Sequence, residues 1–317
     1  GILTQEISYN LNKTYPNQYH SYIAASYVKF VEGAGARAVP IWIGGNTLYY
    51  EDILSKVNGV LWPGGSTYFF NKEGYADAGA KIYSDFNHSD ICIFFFCLFI
   101  DRIVKRINEE GKYFPIFGIC LGFELLTYVA TNRVEHRTRC SSNNQRLPLE
   151  FTRDYTESKL FKNAPLNVLR ILSEQNVTAN YHHFCITKEI LRHDKLTKKF
   201  HVLSLNHDEN GLEFISILEH KQFPFYGLQF HPEKNLYEWV IGKRIPHSIN
   251  ATIASQYFAN FFVNEARKNF NEFPKQEEQR SLIYNYPVTY TALQSSSFQQ
   301  CYMFKKSDRN NFFYRNL

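Results

Sequence analysis

Cys120, His231 and Glu233 are the residues whose types and surroundings could break a bond. A thiol attacks an acyl carbon, an imidazole carries its proton, and a carboxylate orients the imidazole; together they describe acyl transfer. Cys120 lies in Phe-Gly-Ile-Cys-Leu-Gly-Phe-Glu, flanked by Gly118 and Gly122. Small residues on both sides suit a sharp strand-to-helix turn, and the free N–H groups of the helix that follows favour thiolate. The same cysteine also reads as a small core hydrophobe, since free cysteine is among the most buried residue types. A base supplied from elsewhere in the chain decides between the two.

Eleven histidines compete for that role, and His20, His88, His136, His193, His201, His207, His220 and His247 fall in polar loops or edges. His231 instead follows the apolar run 223–230, and Pro232 biases it toward an extended strand end. Glu233, two residues on, can reach back to the ring from the same side; the competing role is the first acid of a solvated loop. Pro63-Gly64-Gly65-Ser66 follows the strand-like run 58–62. Two glycines there expose backbone N–H groups that can hold an oxyanion, or they make a plain turn; the Gly-Lys-Ser/Thr ending of a phosphate loop is absent. Glu124 shares a helical face with Cys120, where it could grip a substrate ammonium or form an ordinary salt bridge.

The elements that must position these groups read as alternating strands and helices. Strands are expected at 1–5, 36–43, 58–62 and 113–118, and helices at 22–33, 47–56, 74–87 and 97–107 and after Cys120 to residue 128. This alternation implies a parallel sheet covered on both faces. Residues 6–18 and 131–148 read as polar loop, 168–172 and 180–186 as strands, and 200–206 with 212–218 as an antiparallel pair. The best amphipathic helix is expected at 251–269, with Ile253, Tyr257, Phe258, Phe261 and Phe262 on its apolar side. A strand-like stretch at 282–290 lies in the polar and aromatic segment 273–317, and no repeat or linker divides the chain. In a parallel sheet, the strand ends carrying Gly64-Gly65, Cys120 and His231 meet at one edge.

The 317 residues, 44% hydrophobic, suffice for a full core. A net charge of +5, with Lys and Arg spread out, argues against a nucleic-acid face. The longest apolar run, residues 91–100, is half a membrane span and calls for burial, for example against a partner subunit. Six cysteines show no metal-ligand spacing and are too sparse for a disulfide framework. Glycosylation sequons begin at Asn12, Asn87, Asn176 and Asn250, which favours passage through the secretory route, and a start at Gly1 without Met suggests a trimmed product.

The Cys120 segment, with Pro-Gly-Gly upstream and Gln-Phe-His-Pro-Glu downstream, resembles the class I glutamine amidotransferase-like superfamily. With 22–38, 178–182, 212–217, 226–239, 261–268 and 296–302, the chain is more closely similar to the gamma-glutamyl hydrolase family. The resemblance implies an α/β three-layer sandwich around a central, mostly parallel sheet (flavodoxin-like). It implies one domain over 1–317, with 273–317 packing on it as a C-terminal extension. The activity implied is cysteine-dependent hydrolysis of γ-glutamyl bonds in folylpoly-γ-glutamates through a thioester, with no cofactor and no metal. Cys120 is then the nucleophile, His231 the base and Glu233 the orienting acid. Gly65 and Leu121 supply the oxyanion N–H groups, and Tyr27, Gly64, Glu124, His182 and Gln229 contact the substrate. A homodimer, lysosomal or secreted, is also implied. Residues 91–100 and 133–147 depart from the family pattern, the first being more apolar and the second more basic. A glutaminase delivering ammonia to a synthetase and a non-catalytic folate-polyglutamate binder are the competing functions.

Overall fold

The computed structural model describes residues 1–83, 103–294 and 296–308. The central sheet has eight strands, in the order Pro40–Ile41, Ile2–Leu3, Val60–Trp62, Ile116–Ile119, Phe225–Leu228, Glu213–His220, Phe200–His207 and Glu150–Phe151. The first five are parallel, and taken in chain order they follow the 2-1-3-4-5 arrangement of flavodoxin-like folds. The last three continue the sheet antiparallel, through the 200–207 and 213–220 hairpin that the turn at 208–211 predicts. These strands are almost wholly buried, as parallel strands covered on both faces must be.

Helices lie on both faces, which gives the three-layer sandwich. Thr47–Leu54, Tyr75–Tyr83, Ile103–Glu109 and Leu121–Ala130 form one group. Ala25–Glu32, Leu166–Glu174, Pro232–Tyr237 and Ile249–Ala266 form the other. Phe117 of the central strand stacks on Phe262 of the longest helix, with ring centroids 5.1 Å apart.

Several local expectations change. Residues 168–172 belong to the helix Leu166–Glu174, which buries Val168, Ile171 and Leu172 on one side; the i, i+3, i+4 spacing outweighs their β-branched character. Helix Tyr9–Thr14 occupies part of the expected loop 6–18, capped by the Ser8 hydroxyl. The first residues of the expected helix 22–33 are instead a strand, Ser21–Ala24. Thr138–Leu147 is a ten-residue strand paired antiparallel with Thr178–Cys185, where a loop was expected. Ile249–Ala266 leaves Ile253 partly exposed and buries Phe258 and Phe262, so its apolar face is narrower than its sequence suggests. Of 282–290, only Val288–Tyr290 is strand. The apolar run 91–100, the first part of the helix expected at 97–107 and the sequon at Asn87 lie outside the described residues.

The segment after residue 273 is woven into a second sheet. Gln300–Phe304 pairs antiparallel with Ser21–Ala24 on one side and with Val288–Tyr290 on the other. Gln5–Glu6 extends the sheet beyond Ser21–Ala24. The short connection from Leu3 to Gln5 therefore links this sheet to the main one beside the carboxyl ends of the parallel strands.

Candidate active site

Cys120 stands between strand Ile116–Ile119 and helix Leu121–Ala130, with φ 52° and ψ −106°. Few non-glycine residues adopt this conformation, and the surroundings must hold it in place. The Cys120 N–H donates to Leu228 O at 2.7 Å, and its carbonyl accepts the Glu124 N–H at 3.0 Å. A Cβ on Gly118 would lie 2.4 Å from Gly122 O, and one on Gly122 would lie 2.0 Å from Trp62 O. Both positions therefore exclude any side chain, which is why the elbow carries glycine on each side.

Gly64 marks the centre of the site. A Cβ there would lie 2.7 Å from His231 Cε1, 2.7 Å from Tyr27 Oη and 3.0 Å from Cys120 Cβ, so three of the expected residues converge on one glycine. The Pro63–Gly65 turn is clamped from below. Gln5 Nε2 and Tyr75 Oη both donate to Pro63 O, at 2.8 and 2.7 Å, and Gln5 Oε1 fills the space a Gly65 side chain would need. The Gly64 N–H is already spent on Tyr27 Oη at 2.9 Å. Of the two glycines, Gly65 is thus the one whose N–H can serve an oxyanion, while the Leu121 N–H faces the Cys120 sulfur.

His231 follows the end of strand Phe225–Leu228 by three residues and directly precedes helix Pro232–Tyr237. Its N–H donates to Ala179 O at 2.9 Å, tying it to strand Thr178–Cys185. Nδ1 lies 2.7 Å from Glu233 Oε1 and 3.3 Å from Tyr27 Oη. Donation from Nδ1–H to the carboxylate leaves Nε2 free to take a proton. Glu233 is fully buried, so it is not a solvated loop acid.

Burial dominates the electrostatics. It pushes the Cys120 thiol well above its ordinary range, helped by Glu124 and Glu233 and opposed by Lys234 and the Leu121 N–H. It also lowers His231, against the pull of Glu233. The resting pair is neutral thiol and neutral imidazole; the expectation that the helix end favours thiolate is outweighed by desolvation.

Glu124 and Gln229 form one wall. Gln229 Nε2 donates to Glu124 Oε1 at 3.2 Å, and Arg137 Nη1 meets Glu124 Oε2 at 3.0 Å. Burial raises the Glu124 carboxyl to about 7 in spite of the guanidinium. Gln229 Oε1 is buried and has no partner among the described residues. Arg137 is held by Glu135 and by the faces of Phe69 and Phe184. The salt bridge left open for Glu124 therefore exists, and its partner lies in the basic stretch 133–147.

His182 is buried beside Asn180 Oδ1 and Phe184 O, with its pKa lowered to about 3 by burial and by His231. Its Nδ1 lies 3.5 Å from Cys140 Sγ and 3.4 Å from Cys185 Sγ. Those two cysteines form a disulfide, which their spacing of 45 residues did not signal. The trio is close enough to suggest a metal site, but both sulfurs are spent in the bond. His220 and His136, expected at polar edges, are largely buried: His220 Nδ1 accepts the Phe223 N–H, and His136 meets Asp194. Gln5, Tyr75 and Arg137 were not singled out from sequence, since none has a local pattern.

Asn12 is partly buried, with Oδ1 accepting the Asn17 N–H, and Asn250 donates to Gln175 Oε1. Asn176 is exposed. No helix among the described residues is long and apolar enough to cross a membrane.

The Glutamine amidotransferase class-I family matches residues 101–239, and Peptidase C26 matches residues 1–84. Gamma-glutamyl hydrolase B of Dictyostelium discoideum is 36% identical over 312 residues, covering 98% of this chain and 84% of that protein. Gamma-glutamyl hydrolase of Homo sapiens is 40% identical over 306 residues, covering 96% and 88%. Gamma-glutamyl hydrolase 1 of Arabidopsis thaliana is 32% identical over 286 residues, covering 90% and 76%. With an elbow cysteine, a carboxylate-oriented histidine and this breadth of likeness, the chain belongs to the gamma-glutamyl hydrolase family.

Proposed function

We propose that this protein hydrolyses γ-glutamyl bonds of folylpoly-γ-glutamates, with Cys120 as nucleophile. The observation that carries the reading is the convergence of Cys120, His231 and Tyr27 on Gly64, with Glu233 behind the imidazole.

As the sulfur attacks the γ-carbonyl carbon, its proton passes to His231 Nε2. The carbonyl oxygen becomes an oxyanion held by the Gly65 and Leu121 N–H groups. Glu233 stabilises the imidazolium through Nδ1–H, and His231 then gives the proton to the departing amine. A thioester remains on Cys120. Water, deprotonated by His231, attacks it, and collapse of the second tetrahedral species releases the glutamyl acid and restores the thiol. Glu124 and Gln229 Oε1, the latter unpartnered among the described residues, offer acceptors to the α-amide N–H of the glutamyl unit being cleaved, and Tyr27, Gly64 and His182 line the approach.

The proposal places the protein in a lysosomal or secreted setting as a glycosylated homodimer. The Cys140–Cys185 disulfide supports an oxidising compartment, and exposed Asn176 is the most accessible described acceptor. Glycosidase treatment and sedimentation of material from a secreting host test these two points.

For the activity, wild type and Cys120→Ala are incubated with a defined pteroyl-γ-oligoglutamate. Wild type releases glutamate or γ-oligoglutamate, and the variant keeps its fold with turnover lost. Retained hydrolysis in the variant removes Cys120 from the role.

A further inference from the structure

Lys234 is a buried lysine that forms no ion pair among the described residues, although the carboxylate of Glu238 feels its charge at longer range. The lysine follows Glu233 on helix Pro232–Tyr237 and is 5% exposed. Among the described residues its ammonium has no hydrogen-bond or ion-pair partner, and its contacts are aromatic rings. Nζ stands 4.2 Å from the Phe298 centroid and 5.6 Å from that of Tyr181. The two acids nearest in sequence are engaged elsewhere. Glu233 bonds His231, and Glu238 Oε2 accepts the Gln299 N–H at 2.7 Å. Cation–π contact offsets part of the desolvation, but a buried ammonium ordinarily has a paired anion.

A second cation approaches the same ring. Lys243 Nζ is 5.2 Å from the Tyr181 centroid, and its pKa is lowered by burial and by Lys234. Arg146, on the neighbouring strand, adds positive charge in reach of the Tyr181 hydroxyl. The loop carrying Lys243 is pinned: Asn144 Oδ1 accepts the Arg244 N–H at 2.6 Å and the Tyr181 hydroxyl at 3.1 Å. Tyr181 in turn meets the His231 ring edge-on at 6.3 Å. Positive charge thus gathers beside the proton carrier, and among the described residues neither lysine has an acid within ion-pair distance, Glu238 acting on Lys234 only from farther off.

We propose that Lys234, with Lys243 across Tyr181, forms a carboxylate subsite for the α-carboxylate of the departing glutamate. The inference rests on the γ-glutamyl hydrolase reading and specifies how the leaving side is recognised. In a γ-linked chain the scissile nitrogen is bonded to a Cα that carries a free carboxylate, two bonds from the bond being cut. Ammonia leaving from glutamine has no such group. The subsite therefore favours γ-linked oligoglutamate over glutamine, and the anion it receives supplies the missing partner of Lys234.

Wild type, Lys234→Met and Lys234→Arg are compared on γ-glutamylglutamate and on γ-glutamyl-p-nitroanilide, whose leaving group lacks a carboxylate. In Lys234→Met, kcat/KM for the dipeptide is expected to fall about thirtyfold, as for loss of a charge-assisted hydrogen bond. The loss on the anilide is expected to be at least about tenfold smaller, and Lys234→Arg to recover part of the dipeptide activity. Equal losses on both substrates, or no loss on the dipeptide, overturn the proposal. Should Lys234→Met fail to fold, Lys243→Met in the exposed loop carries the test. Its KM for the dipeptide rises about threefold or more relative to the anilide, with weaker salt dependence, and an unchanged KM overturns the subsite. Wild type that cleaves neither substrate overturns the hydrolase reading itself, a result distinct from equal losses in the variants.

Discussion

The Tyr27 hydroxyl stands 3.3 Å from His231 Nδ1 and accepts the Gly64 N–H at 2.9 Å, so one phenol holds both the imidazole and the glycine turn. Burial keeps it protonated. Tyr27→Phe strips the acceptor from a buried N–H, at a cost of about 1–3 kcal/mol in stability. It also frees the Gly64 N–H and loosens the ring, and kcat is expected to fall about tenfold with KM little changed. Urea unfolding and steady-state kinetics measure the two effects. An unchanged kcat would show that the phenol only fills space.

The neutral resting state of Cys120 and His231 has a consequence for reactivity. With the thiol raised by burial, alkylation of Cys120 by iodoacetamide at pH 7 should be slower than that of a free thiol and should climb into the alkaline range. With the imidazole lowered, kcat/KM should hold below pH 6.5 before its acid limb falls. An alkylation profile with an inflection below pH 7 would contradict this state.

Glu124 links the site to stability. Its folded-state carboxyl sits near 7, above an ordinary glutamic acid, so the native state binds the extra proton. Stability from this group is full below about pH 4.5 and is lost as pH rises through about 7, on the order of 3 kcal/mol. Glu124→Gln should flatten that part of the pH dependence of Tm. Removing its partner by Arg137→Met leaves a buried carboxylate unpaired and costs about 3–5 kcal/mol, most of it at alkaline pH. Identical Tm profiles for wild type and Glu124→Gln would remove Glu124 as the titrating group.

Gly122 is a steric requirement. A methyl there would lie 2.0 Å from Trp62 O, a backbone atom that cannot swing aside. Gly122→Ala should cost about 3 kcal/mol or more, or drive Cys120 out of line with His231. Thermal denaturation together with alkylation rate distinguishes these outcomes, and a variant with wild-type values in both would mean the elbow can relax.

The disulfide closes a span of 45 residues beside His182. Cys185→Ala should lose about 2–4 kcal/mol, and the loosened strand pair should raise KM. A Tm indistinguishable from wild type, with and without reductant, would show the bond to be absent in solution.

The elbow and the histidine were legible in the sequence because most of their requirements are local: Gly118 is dictated by Gly122 O four residues on and Pro232 by the strand end it follows, while Gly122, held small by the distant Trp62 O, is recognised by its place in the elbow pattern. The parallel sheet was legible for the same reason, since each buried strand is a short apolar run. Thr138–Leu147 was not, because it pairs with a single partner at the molecule's edge and keeps no apolar alternation. Ser21–Ala24 was absorbed into the helical period that begins one residue later. The Cys140–Cys185 bond, the Arg137 ion pair and the contact of Lys234 with Phe298 join positions 13 to 64 residues apart, which no spacing rule connects.

Strand Gln300–Phe304 completes the sheet begun by Ser21–Ala24, and Phe298 just before it packs against Tyr27. Synthesis delivers the thiol, the imidazole and the carboxylate well before that strand. A growing chain thus holds its reactive groups while one wall of their pocket is still missing. Competence waits for a late segment to zip onto an early one, so an incomplete polypeptide lacks the enclosure that would let it act on passing amides.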